Sequence, residues 1–293
     1  MKRFAIFLTL LCVGALVFTL TQYNREPVVG KRTLSEWLEN RFTPMVLRAD
    51  VTNAVRQMGE AAVPVLLNKL RAPDSALKQR LRRSAQGKIL SYAWLNSANE
   101  QHAQALLGFD ILGTQAVVAL PQLSNLLFHG REPERDPYAT LQERVGDALS
   151  RIGLPAFPIL REALTNSDSR VANGALRGLT RRGILAQEAM ADFIALRHST
   201  NTPMVAMLPG DLAFVCRDCD FVPLALEYLK DERPLVQQFA LLALGSAKTN
   251  QSFIFPSAVP FLTSTSWTVR RYASNTLMKL DPEMARNLGV NVP

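Results

Sequence analysis

From about residue 50 onward, apolar and polar positions follow a helical period, and one small arrangement of residues keeps returning. Ahead of Gly153 stand Ala148, Leu149 and Ile152, at five, four and one residues before it. The same spacing places Ala54, Val55 and Met58 before Gly59, and Gly108, Phe109 and Leu112 before Gly113. It returns as Ala175, Leu176 and Leu179 before Thr180, as Ala240, Leu241 and Leu244 before Gly245, and as Thr276, Leu277 and Leu280 before Asp281. Two large apolar side chains three residues apart share one helical face, and a small residue beside them lets a neighbouring helix approach. Glycine after such a segment predicts a helix stop in a left-handed conformation.

A second pattern follows the first. Val63-Pro64-Val65-Leu66, Leu120-Pro121-Gln122-Leu123 and Phe157-Pro158-Ile159-Leu160 each come four to seven residues after a stop, Val259-Pro260-Phe261-Leu262 comes fourteen after Gly245, and Val222-Pro223-Leu224-Ala225 is a weaker copy. Proline is tolerated in the first turn of a helix and not in its middle, so each marks the start of a second helix. Pro121 and Pro158 are 37 residues apart, and so are Pro223 and Pro260. A helix pair recurring at roughly 40 residues predicts stacked repeats. No stretch of alternating polarity supports a strand-rich domain.

These residues resemble HEAT repeats of the armadillo-like class. "WTVRRYASNTLMKL" (267–280), with Val269, Arg270, Ala273 and Leu277, is similar to that family's first-helix pattern. The resemblance implies an all-α fold, an α-solenoid of about five to seven helix pairs over residues 44–293. Repeats are clear near 50–70, 102–127, 141–165, 231–263 and 266–288 and irregular at 75–95 and 185–230. An ordinary helical bundle is the rival account. The resemblance also implies a binding surface rather than a catalytic centre, and names no ligand.

The N-terminus changes the picture of where such a domain would sit. After Lys2 and Arg3 comes an uncharged apolar run from Phe4 to Leu20. Its 17 residues are at the lower limit for a transmembrane helix and long for a signal-peptide core. Residues 1–21 read as a signal anchor or, alternatively, a cleaved signal peptide. The preceding cations would stay in the cytoplasm, leaving the rest outside it, on the periplasmic side. Residues 22–43 read as a linker and a short capping helix, with Thr33 and Glu36 forming a capping box ahead of Trp37 and Leu38.

The net charge is +8, with 33 Lys and Arg against 25 Asp and Glu. That mild excess suits acidic proteins, anionic lipid or nucleic acid alike. It concentrates in residues 69–88, where Lys69, Arg71, Lys78, Arg80, Arg82, Arg83 and Lys88 face Asp74 alone. Lys78, Arg80, Arg82, Arg83 and Lys88 form a candidate basic contact surface, or else a solvated helix face. Cys216 and Cys219, spaced C-x-x-C, read as a local disulfide, as reduced thiols or as a redox pair; a zinc site lacks its second pair of ligands. His102, His129 and His198 have no metal-ligand spacing and read as solvated loop or cap residues. No nucleophile elbow, P-loop or dinucleotide fingerprint is present. The sequence therefore points to a non-enzymatic, membrane-anchored scaffold for protein partners, without cofactor or metal. A basic module binding nucleic acid is the alternative if the domain is cytoplasmic.

Overall fold

The computed structural model describes residues 26–39, 45–73, 97–131, 140–199, 202–215, 220–248 and 251–290. The described chain is almost entirely helical. Two-residue strands β1 (Val28–Val29) and β2 (Arg32–Thr33) pair antiparallel, so part of the predicted linker is a tight hairpin. It leads into α1 (Leu34–Glu39), where the predicted capping box forms: Thr33 N donates to Glu36 Oε2 at 2.7 Å and Glu36 N to Thr33 Oγ1 at 3.3 Å. The hairpin is held to the helix by Trp37 Nε1 donating to the Val29 carbonyl and by the Arg32 guanidinium over the Trp37 ring.

The helices that follow are α2 (Met45–Met58), α3 (Val63–Leu70), α4 (Ala98–Leu112), α5 (Leu120–His129), α6 (Leu141–Ile152), α7 (Phe157–Leu164) and α8 (Ser169–Arg181). Beyond them come α9 (Gly183–Glu188), α10 (Met190–Ala195), α11 (Thr202–Val215), α12 (Val222–Leu229), α13 (Pro234–Leu244), α14 (Gln251–Ala258), α15 (Trp267–Leu280) and α16 (Pro282–Asn287). All six recurring trios lie at the C-terminal ends of α2, α4, α6, α8, α13 and α15, and every member is buried. Pro64, Pro121, Pro158 and Pro223 each stand second in α3, α5, α7 and α12, as the missing amide requires. Pro260 differs: it opens a 3-10 turn, Val259–Thr263, continuous with α14. The glycine stops differ too. Gly113 (φ 53°, ψ −125°) and Gly153 (φ 88°, ψ −147°) have positive φ but extended ψ, a region even more restricted to glycine than the left-handed helix. Gly245 is right-handed, at φ −68°.

Packing runs between helices close in sequence. α6 lies against α4 on one side and α8 on the other, α13 lies against α11 and α15, and α3, α5, α7 and α12 each pack mainly on the helix that follows. The tightest contact joins α6 and α8. A Cβ on Gly146 would stand 1.9 Å from the Gly174 carbonyl oxygen, one on Gly174 2.5 Å from the Gln142 oxygen, and one on Gly178 2.6 Å from the Gly146 oxygen. Backbones meet there with no side chain between. By contrast α8 and α11 touch over a short stretch only.

The region read as irregular, 185–230, is helical in α9 to α12. A shift of 32 residues from the trio of α13 lands on Leu208, Pro209 and Leu212 in α11, all buried. Proline in the place of a large apolar residue hid this copy. The turns entering the first helices also recur: Asp168 N donates to Asn166 Oδ1, Arg233 N to Asp231 Oδ1, and Ser266 N to Ser264 Oγ. Residues 98–129 form one run of 32 residues through α4 and α5, long and apolar enough by length and composition to cross a membrane. Its apolar residues Phe109, Leu112, Leu123 and Leu127 are part of the buried core. The predicted anchor, residues 4–20, lies outside the described residues.

Candidate anion-binding site

Helix α6 carries Arg144, Asp147 and Arg151 at i, i+3 and i+7, and α8 carries Arg177 and Arg181 one turn apart. These spacings put each set on one side of its helix, and the glycine contact brings the two helices close enough to join them. Asp147 is buried, at 5% exposure. Arg177 Nε donates to its Oδ2 at 3.1 Å, and Arg181 Nε stands 3.1 Å from Oδ1 as an ion pair without hydrogen-bond alignment. The two guanidinium groups are half-exposed. Each uses its Nε on Asp147, and neither has another hydrogen bond among the described residues.

Arg151 completes the centre. Its Nη1 donates to the Asp147 carbonyl at 3.0 Å, while its Nε is buried and has no hydrogen-bond partner. Burial pushes the Arg151 guanidinium below its usual range; Asp147 opposes that shift, and Arg181 and Arg177 add to it. Across the seam to α11 stands Asp211, whose carboxyl burial pushes up, with Arg181 and Arg177 pulling the other way. No hydrogen bond reaches the Asp211 carboxylate among the described residues. Three arginines thus gather around Asp147, two of them also near Asp211, and Arg144 is buried on the same helix as Asp147. Such a cluster attracts anions through planar, bidentate donors. Asp211 shares its face of α11 with Met207 and Phe214, both exposed and spaced at i−4 and i+3.

A second concavity, an open polar cleft of about 240 Å³, lies between the end of α5 and the start of α8, lined by His129, Arg131, Gln142, Asp168 and Arg170. Three of its polar residues are engaged with one another or with backbone: Arg170 Nη2 donates to Asp168 Oδ2 at 2.7 Å, and Gln142 Nε2 to the Gly130 carbonyl at 2.7 Å.

The residues singled out from the sequence fall elsewhere. Cys216, Cys219, Lys78, Arg80, Arg82, Arg83 and Lys88 lie outside the described residues. Lys69, read as part of the basic run, is buried, with Nζ donating to Gln104 Oε1 at 2.8 Å. His102 is a correction: it is buried in α4 and its Nε2 lies 3.0 Å from the Ala72 carbonyl, tying α4 to the end of α3. His129 is the last residue of α5, and exposed His198 closes a 3-10 turn. No group of three or more His, Cys, Asp or Glu suited to a metal occurs among the described residues. The arginine cluster forms no run of charge along the chain. The signal was the period: charges at i, i+3 and i+7 on a helix whose apolar trio was already recognised.

No family model and no curated protein matches the chain. Among solved structures, two crystal structures of engineered proteins from a structural genomics consortium are similar to it. One is 18% identical, covering 84% of this chain and 73% of its own, with a TM-score of 0.35. The other is 18% identical, covering 85% of this chain and 96% of its own, with a TM-score of 0.25.

Proposed function

We propose that this chain is a HEAT-like α-solenoid that binds protein partners, held at the membrane by residues 4–20 with its helical domain outside the cytoplasm. The observation that carries the reading is the repeated unit. Six copies of one buried trio, each on a helix packed against its neighbours in sequence, support a row of helices over a shell around a pocket. A row of that kind leaves a long side-chain surface, which suits a large ligand. Exposed Met207, Phe214, Leu235, Leu242 and Trp267 on α11, α13 and α15 supply apolar contact area of the kind that protein interfaces use.

The test is topology followed by capture. The full chain, fused at its C-terminus to a reporter active only outside the cytoplasm, is expected to give activity that stays with membranes through a carbonate wash. Crosslinking in intact cells is expected to yield discrete protein adducts. An inactive reporter would return the domain to the cytoplasm and make nucleic acid the leading ligand. An active reporter with no adduct would sink the scaffold reading.

A further inference from the structure

We propose that the exposed edges of Arg177 and Arg181, backed by Asp147 and flanked by Arg151, form the docking point for an acidic segment of a protein partner. The proposal rests on the scaffold reading above and names the chemistry of the partner. A guanidinium offers two usable edges. Here Asp147 takes the Nε of both arginines, which orients them while both side chains stay partly exposed. The carboxylate beneath holds each fork in place, so less side-chain freedom is lost when an incoming carboxylate binds.

The charge balance selects the size of the ligand. Arg151, Arg177 and Arg181 against Asp147 and Asp211 leave one positive charge in excess, which suits a short acidic segment. A nucleic acid strand needs a longer basic track, and Asp211 at its edge would repel successive phosphates. Met207 and Phe214, in helical register with Asp211, provide exposed apolar surface beside the charged point. The fitting occupant is a peptide segment with acidic residues next to apolar ones.

Asp211 gives the proposal a test of opposite sign. Its carboxylate lies near the same two arginines without an ion pair or hydrogen bond to either, so its charge opposes an acidic ligand and it can be changed without breaking a hydrogen bond. The probe is a dye-labelled synthetic peptide of glutamates flanked by leucines, titrated by anisotropy against the full-length protein in detergent. Arg181→Gln and Arg177→Gln are expected to weaken binding tenfold or more, and Asp211→Asn to tighten it severalfold. Arg181→Lys keeps a cation for Asp147 but lacks the fork, and is expected to weaken binding while melting like the wild type.

Unchanged affinity in Arg181→Lys together with Asp211→Asn would place the peptide elsewhere and overturn the proposal. So would no binding by the wild type, or tighter binding of a single-stranded oligothymidine that responds to the same variants. The two readings fail separately: adducts in cells that persist in Arg181→Lys remove this site and leave the scaffold, while no adducts from the wild type remove the scaffold itself.

Discussion

Asp211 shows how much a single side chain can reveal. Burial disfavours its ionised form, so its folded-state pKa lies above the unfolded value near 3.8. Below that value both states hold the proton and the group is neutral to stability. As pH rises through the folded pKa, the unfolded chain has already released its proton and the folded one does so at a cost, so stability is lost and stays lost at neutral pH. Asp211→Asn is therefore expected to melt above the wild type at pH 7 and with it near pH 3. Asp168, Glu227 and Asp231 shift the other way, held low chiefly by hydrogen bonds from Arg170, Lys230 and Arg233, but they are common to both proteins and cancel in the difference. A gain of equal size at both pH values would show that titration is not its source. Leu149, fully buried in α6, is the apolar counterpart. Leu149→Ala is expected to cost about 2–5 kcal/mol by denaturant titration, the range for a large-to-small change in a packed core.

At the scale of elements, most stops and starts were legible, Gly245 and Pro260 being the exceptions, and the contacts between helices were not. Proline at the second position of α3, α5, α7 and α12 follows from local chemistry alone. Gly59, Gly113 and Gly153 are glycine sites as expected, at Gly113 and Gly153 for a stricter reason than the left-handed turn, whereas right-handed Gly245 is not one. Nothing lies within 4 Å of where a Cβ on Gly153 would stand, so the penalty for Gly153→Ala is purely that of the backbone. A loss of about 1–3 kcal/mol is expected from thermal unfolding; no loss would mean the turn relaxes to another conformation. The α6–α8 contact could not be anticipated. The alanines of the trios, Ala148 and Ala175, were the small residues expected to admit a neighbour, whereas the closest approach is made by Gly146, Gly174 and Gly178. Small residues announce that a helix can be approached, and only the assembled fold says from which side.

For the whole molecule, the repeat in α11 was hidden by Pro209, and the proposed docking point by the distance in sequence between α6, α8 and α11. Both involve the same seam. α4, α6 and α8 join closely, as do α11, α13 and α15, and the short contact between α8 and α11 lies between those two groups. Pro209 also removes an amide from the α11 ladder next to this seam. Stability is not uniform where contacts thin out. Hydrogen exchange is expected to show two cooperative units, residues 98–181 and 202–280, with α11 amides near the seam opening at lower free energy than those of α6. A single global exchange step through both groups would show that the seam transmits as well as the glycine contact does.

The glycine contact between α6 and α8 also works as a ruler. Asp147 rides on one helix and the two arginines on the other, so the gap between anchor and forks is set by the distance between two backbones. One methyl group at residue 174 would press on the Gln142 carbonyl and push the helices apart, leaving every charge in place. Gly174→Ala is thus expected to lower the melting temperature and to blunt recognition of an acidic ligand together, by respacing the guanidinium pair rather than by removing it.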